Sequence, residues 1–425
     1  MVSAPRGSTI GYVISHYPYI SHTFIQREIL GLRDAGFDIE TISVIQTGAD
    51  QALSPTDRAE ADRTINIRPA GVGKLVRHLL MPAFANPGAT MALIGVAGRG
   101  WWSDPKPFLW RLFYVAEAII LCSLARARGI THLHAHHANS SSNVAWLASE
   151  FGRRTGSGPS SWTFTMHGSS EFIDVDRIDL GRKAEAAAGV ACISDFTRSQ
   201  LMMVSATPAW SNFDVVHCGI DPDVFEPPAE RAPDLAFTVL FVGRLGAEKG
   251  LPVLMDAVAD LAARLAPRPV EFLLVGDGEL RDELGEQAER LGVNATFFGS
   301  VGQHEILPIY QRADAFALAS FREGIPVVLM EAMACGVPCV APRITALPEL
   351  IEEGHTGLLA TAGRADHLAD ALERLAVEPD LAARVGKAGR EAVLEGFTTA
   401  GTVAGMTQFF DRLLADTGGG HQAQP

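Results

Sequence analysis

The chain reads as an α/β protein of two Rossmann-like domains, each built on a parallel sheet, and three observations predict this. Its 425 residues exceed one ordinary core, so two domains of roughly 200 residues are expected. Short apolar runs of strand character alternate with helical stretches, the pattern that a parallel sheet with helical crossovers requires. Near the middle, residues 219–236 carry Pro222, Pro227, Pro228 and Pro233 among acids and read as an interdomain linker.

Composition narrows the partners. A net charge of −14 makes nucleic acid an improbable target, yet residues 63–131 hold nine basic side chains against two acidic ones. That local imbalance fits an anionic membrane surface. The five cysteines (Cys122, Cys192, Cys218, Cys335, Cys339) form no paired framework and read as reduced, buried thiols of a cytosolic protein. No charged segment leads into an apolar core at the start, and no run of eighteen apolar residues occurs. The expected location is cytoplasmic, with possible peripheral attachment at the inner face of the membrane.

Taken in order, Thr9–Ser15 is a first buried strand. A loop then turns into a helix within residues 16–29, where Ser21 either caps the helix or serves the ligand. Ile39–Ile45 is a second strand. Residues 46–108 should hold helices, including Lys74–Met81 and Met91–Ala97, because a structureless loop of that length is unusual. Trp101, Trp102, Phe108, Trp110 and Phe113 lie beside Lys106 and Arg111. They either pack the core side of a helix spanning residues 107–128 or anchor it at a lipid interface.

A strand from Gly129 ends in histidines. His132, His134 and His136 alternate along it without a carboxylate or cysteine at ligand spacing, so no metal site is expected. Ser161–Met166 is another strand, and His167 follows at its C-terminal end, where open parallel sheets bind ligands. Gly189–Ile193 and Phe213–His217 complete a domain over residues 1–218.

The second domain, residues 237–400, opens on the strand from Thr238, a glycine turn, and the cations Arg244 and Lys249. Gly276-x-Gly278 lacks the third glycine of a dinucleotide fingerprint, which disfavours NAD. Ala315–Ala319 is a strand, and Val327–Ala334 a buried helix with Pro326 at its start. Glu323 precedes that helix and Glu331 lies two turns inside it, in an otherwise uncharged segment where a carboxylate needs hydrogen-bond donors. Residues 401–417 should form a helix crossing back to the first domain, and residues 418–425 a disordered tail.

The run Ser320–Pro338 resembles the Glu-x7-Glu signature of glycosyltransferase family 4, and Glu331-Ala-Met-Ala-x-Gly-x-Pro338 is similar to that family's wording. Gly243-Arg244-x4-Lys249-Gly250 resembles its phosphate-side motif, Thr165-Met166-His167-Gly168 its Thr-x-His-Gly motif, and His134-x-His136 its His-x-His segment. Pro18–Ile25 resembles a run in exopolysaccharide glycosyltransferases, with His22 replacing an acid.

The resemblance implies a GT-B fold, two Rossmann-like domains whose parallel sheets face a cleft. It implies retaining hexosyl transfer from a nucleoside diphosphate sugar to a glycan or lipid-linked acceptor, without cofactor or metal, in polysaccharide or glycolipid synthesis. His167 and Glu323 would be catalytic. Arg244, Lys249, Glu331, Gly243 and Gly324 would bind the donor, with His136, His137 and Ser21 on the acceptor side. Ile325 and Pro326 replace a common Phe-Gly, which removes one backbone amide from the sugar side. A nucleotide-sugar 2-epimerase and a catalytically silent scaffold subunit remain as alternatives.

Overall fold

The computed structural model describes residues 8–19, 22–48, 54–68, 71–98, 106–229, 235–302 and 305–418. The chain divides into two compact units, Met1–Val216 with Thr402–Pro425, and His217–Gly401.

Unit 1 is built on β1 (Thr9–His16), β2 (Ile39–Ile45), β3 (Ile65–Asn66), β4 (Ile130–His136), β5 (Ser161–Met166), β6 (Gly189–Cys192) and β7 (Phe213–Val215). Their order is β3-β2-β1-β4-β5-β6-β7, and every pair is parallel. Both faces of this sheet are covered, so its strands are apolar without strict alternation. Residue parity still decides which core each side chain joins. Ile10, Tyr12 and Ile14 face a cluster with Ile25, Ile29, Phe409 and Phe410. Val13, Leu133, Ala135 and Phe164 face the other way, onto Ile119, Val144 and Leu147.

The first face is covered by the helix Thr23–Asp34 and the C-terminal helix Thr399–Gly418. These two meet closely at Gly31, where an added Cβ would lie 2.4 Å from Val403 Cγ2. The last helix thus completes the core of the first unit.

Unit 2 carries β8 (Phe237–Val242), β9 (Val270–Val275), β10 (Asn294–Gly299), β11 (Ala315–Ala317), β12 (Cys339–Pro342) and β13 (Leu358–Ala360). Their order is β10-β9-β8-β11-β12-β13, again all parallel. Strand order reverses between β1 and β4 in unit 1 and between β8 and β11 in unit 2. Such a reversal opens a crevice beyond the C-terminal ends of the two strands, which is where open α/β sheets take ligands.

Two of the alternatives left open by the sequence are decided in part. Trp110 and Phe113 do not pack into the core, being 66% and 62% exposed. The N-cap of the Thr23–Asp34 helix is His22, without a side-chain cap bond; Ser21 lies outside the described residues, as do Trp101 and Trp102. Among the described residues no single helix is long and apolar enough to cross a membrane, although Val72–Ala85 and Pro87–Ala97 form an apolar pair bent by 97°.

Candidate functional site

In unit 1 the strands β4 and β5 are stitched together by side chains as well as by backbone. Register sets His132 opposite Ser161, His134 opposite Thr163 and His136 opposite Thr165. His132 bonds Ser161 and Thr163 at 3.2 and 2.8 Å, and His134 bonds Thr163 and Thr165 at 2.9 and 3.0 Å. Both histidines are fully enclosed and pack against Phe410. Burial pushes the His132 imidazole down to about 4, and that of His134 well below its ordinary value.

The third histidine breaks this pattern. His136 Nδ1 lies 2.8 Å from His167 Nε2 rather than against a threonine. His136 is itself enclosed, so it does not line an acceptor pocket directly; its reach to solvent runs through His167, which is partly exposed. Burial, then the neighbouring His137, His136, His22 and His134, hold the His167 imidazole well below its ordinary value, that is, neutral. His137 turns the chain after β4 with φ +68° and sits 4.4 Å, centroid to centroid, from the His167 ring.

One carboxylate holds both strand ends. Glu171 accepts from the backbone N–H of His167 at 2.8 Å, of Gly168 at 2.9 Å, and of Ala138. Lys183, fully buried, donates to Ala138 O at 2.7 Å and Ser142 Oγ at 3.0 Å, and burial pulls its amine down to about 7. The sequence reading missed Glu171 and Lys183, which carry no motif.

Glu28 was also missed. It enters from the Thr23–Asp34 helix and joins His134 and His136 in a group whose ligating atoms lie within 4.8 Å of one another. The expectation that no carboxylate accompanies these histidines is therefore wrong in space, because Glu28 is remote in sequence. Even so, both ring nitrogens of His134 already have threonine partners, which takes that residue out of a ligand role.

In unit 2 the site follows β8 and β11, the two strands that flank the reversal. After β8 the chain turns through Gly243 (φ +154°), whose N–H donates to Val275 O at 2.9 Å. Arg244 then projects outward, 61% exposed, paired with Glu248 at 2.6 Å and Glu279 at 3.8 Å. Lys249 precedes Gly250, at φ +62°, where any Cβ would lie 2.2 Å from Ala319 O. Glycine alone lets this loop press against the end of β11. The approach brings Lys249 Nζ to Glu323 Oε1 at 2.7 Å, and Ser320 Oγ donates to the same oxygen at 2.7 Å.

Gly324 is partly exposed just before the helix Val327–Ala334. On that helix Glu331 is buried, and its Oε2 accepts from the Tyr310 phenol at 2.9 Å. Lys249 and Glu323, far apart in sequence, are thus brought together. Arg244 is held by Glu248 on its own turn and by Glu279 in the loop after β9.

Residues 225–392 match the family described as Glycosyl transferases group 1. Curated relatives include the GDP-mannose-dependent alpha-(1-6)-phosphatidylinositol monomannoside mannosyltransferase of Mycobacterium tuberculosis, 30% identical over 52% of this chain and 61% of that protein. The D-inositol 3-phosphate glycosyltransferase of Corynebacterium glutamicum is 32% identical over 48% of this chain and 52% of its own length. The chain thus spans between about half and three fifths of these relatives. Among solved structures, Anabaena Alr3699/HepE in complex with UDP has a TM-score of 0.70 at 16% identity, covering 95% of this chain and 100% of that one. Sucrose-phosphate synthase from Thermosynechococcus elongatus has 0.68 at 21%, covering 96% and 99%. At such identities these two show the fold, which is GT-B. The likeness to a glycosyltransferase group 1 domain is carried by residues 225–392, the segment that holds Lys249, Glu323 and Glu331.

Proposed function

We propose that the chain is a retaining glycosyltransferase that moves a hexosyl group from a nucleoside diphosphate sugar to a lipid-linked or glycan acceptor, without cofactor or metal. The observation that carries this reading is the Lys249–Glu323 pair at 2.7 Å, with the buried Glu331 on the helix that follows, in the segment matched to the family. In the reaction the bond between the anomeric carbon and the diphosphate breaks, and a bond to an acceptor hydroxyl forms on the same face of the sugar. Charge then develops on the departing diphosphate, and a fixed, partly enclosed ammonium stabilises it. Glu331, oriented by Tyr310, would accept hydrogen bonds from ribose hydroxyls. Unit 2 would hold the donor, and His167 of unit 1 would serve the acceptor reaction.

A ligand that binds only the folded state stabilises it. At a hundredfold excess over Kd the gain is about 2.7 kcal/mol, which raises the melting temperature by roughly 5–10 °C for a unit of this size. GDP is the first candidate, since the relative from M. tuberculosis is named for GDP-mannose, with UDP and ADP as comparators. A melting temperature unmoved by all three would remove the donor-site reading.

The acceptor reading leans toward a lipid, and the exposed surface of unit 1 supports peripheral attachment to an anionic membrane. Val72, Phe84, Met91, Trp110 and Phe113 are each more than 60% exposed, and Lys74 and Arg77 are exposed among them. Apolar side chains interleaved with cations hold a helix at the headgroup level. Each engaged cation contributes about 1 kcal/mol near an anionic surface. Co-sedimentation with anionic vesicles should be strong at low salt and fall as salt rises, with little pelleting on neutral vesicles. Equal, negligible pelleting on both would exclude membrane docking.

A further inference from the structure

The turn that carries His137 is held by two side chains that the donor chemistry does not use, Glu171 and Lys183. His137 adopts φ +68°, a left-handed backbone that costs free energy in a residue with a Cβ. Such a conformation persists where its surroundings over-determine it, and it gathers at functional sites. The surroundings here do so from three sides. The His137 N–H donates to Thr165 O at 3.0 Å, which ties the turn to β5. The next residue, Ala138, is gripped at both of its backbone groups: its N–H donates to Glu171 Oε1, and its C=O accepts from Lys183 Nζ at 2.7 Å.

Glu171 serves two loops at once. Its Oε1 takes Ala138 from the loop after β4, and its Oε2 takes His167 and Gly168 from the loop after β5. The bonds to His167 and Gly168 are local, reaching back four and three residues, and would close the turn of Glu171 in any setting. The bond to Ala138 spans 33 residues and serves no local turn. It sets the spacing of the two loops, and with it the spacing of the rings they carry. Those rings meet: the centroid of His137 lies 4.4 Å from that of His167 and 5.8 Å from that of His22. Lys183 adds a third tie, because it also donates to Ser142 Oγ at 3.0 Å, on the helix Ser140–Thr155 that follows the turn.

We propose that Glu171 and Lys183 are positioning residues: together they clamp the His137–Ala138 turn against the loop of His167, and so set where the His167 ring meets a substrate. The effect on turnover rests on the transferase reading above; the clamp itself does not. Glutamine at position 171 distinguishes a clamp from a polar filler. It matches glutamate in shape, but only one of its two terminal atoms accepts a hydrogen bond. Whichever loop keeps the carbonyl oxygen, the NH2 group then faces an N–H of the other loop, donor against donor.

The test is amide NMR on the intact chain. Histidine labelled with 13C at the carbonyl, combined with 15N-alanine and 15N-glycine, selects the amides that directly follow a histidine. In this sequence those are Ala135, Ala138 and Gly168, so both loops report and Ala135, within β4, is the internal reference. In Glu171→Gln the signal of Ala138 or of Gly168 should move upfield as its N–H loses an acceptor, while Ala135 stays. The kcat per folded chain should fall by about 10², the effect of a misplacement of roughly 1 Å. The donor KM should not change, because unit 2 holds the donor. Lys183→Met fills the same space but donates nothing; it should move the Ala138 signal and lower kcat in the same sense. Ala138 and Gly168 both unmoved in Glu171→Gln, or transfer unchanged once one has moved, would overturn the proposal. So would a loss of kcat that only follows the loss of folded chain. If Glu171→Gln does not fold, Lys183→Met decides by the Ala138 signal and the same rates. Should the unaltered chain transfer no sugar, the transferase reading fails by itself and the amide signals alone decide the clamp, because they need no substrate.

Discussion

Lys249→Ala should lower transfer by about 10²–10³, the usual effect of removing one preorganised group that stabilises developing charge. It should also weaken nucleoside diphosphate binding. The ammonium is placed by the Gly250 turn and held at 2.7 Å from Glu323, so it needs no reorganisation when charge moves onto the diphosphate. Arg244→Ala should do less. That guanidinium is 61% exposed and already shared between Glu248 and Glu279, and an exposed charge in water stabilises little. Removing Lys249 also leaves the Glu323 carboxylate, 10% exposed at its side chain, with the Ser320 hydroxyl in place of a cation. The double variant Lys249→Ala/Glu323→Gln should therefore recover stability lost in the single variant but not activity. Calorimetry showing unchanged diphosphate affinity in Lys249→Ala would remove the phosphate-site reading.

How much of this could be read from the sequence depends on how each residue is held. The helix Val327–Ala334 and the strand Ser161–Met166 appear with the bounds that periodicity predicts, because continuous apolar runs bounded by turns have few other solutions. His167, Lys249 and Glu323 were visible through motifs at strand ends. What could not be read is long-range polar satisfaction. Glu28 sits on the apolar stripe Ile25, Ile29, Leu32 of its helix, and a carboxylate at such spacing is the one available signal that a buried partner exists. Glu171 and Lys183 give no such sign, since their partners are backbone groups of loops and, for Lys183, the Ser142 hydroxyl, which only the folded sheet brings together. The aromatic residues near Trp110 show a different limit: apolar character left burial and surface exposure both open, and the fold leaves Trp110 and Phe113 on the surface.

The buried histidines give unit 1 a steep acid limit. His132, His134 and His167 are held neutral, chiefly by burial, with His132 down to about 4 and the other two well below their ordinary value. His137 is pushed down to about 3, although a quarter of its side chain is exposed, so its contribution is the smaller. The ordinary value is 6.5. Above it neither folded nor unfolded chain binds these protons and stability is insensitive to them. Below it the unfolded chain takes them up and the folded chain does not, so stability falls by about 1.4 kcal/mol per pH unit for each histidine. Glu171, raised by burial, opposes part of this loss by binding a proton earlier than it would unfolded. The two enclosed histidines, His132 and His134, still remove roughly 3 kcal/mol per unit, with less from the partly exposed His167, from a stability of about 5–15 kcal/mol. All six tryptophans lie in unit 1, so indole fluorescence follows its unfolding alone. The urea midpoint by this signal should fall gently from pH 8 to 7, where the buried Lys183 amine, pulled down to about 7, binds its proton less readily than in the unfolded chain, and collapse between pH 6.5 and 5. A midpoint that moves by less than one proton's worth across that window would show that the histidine ladder opens to water before unit 1 unfolds.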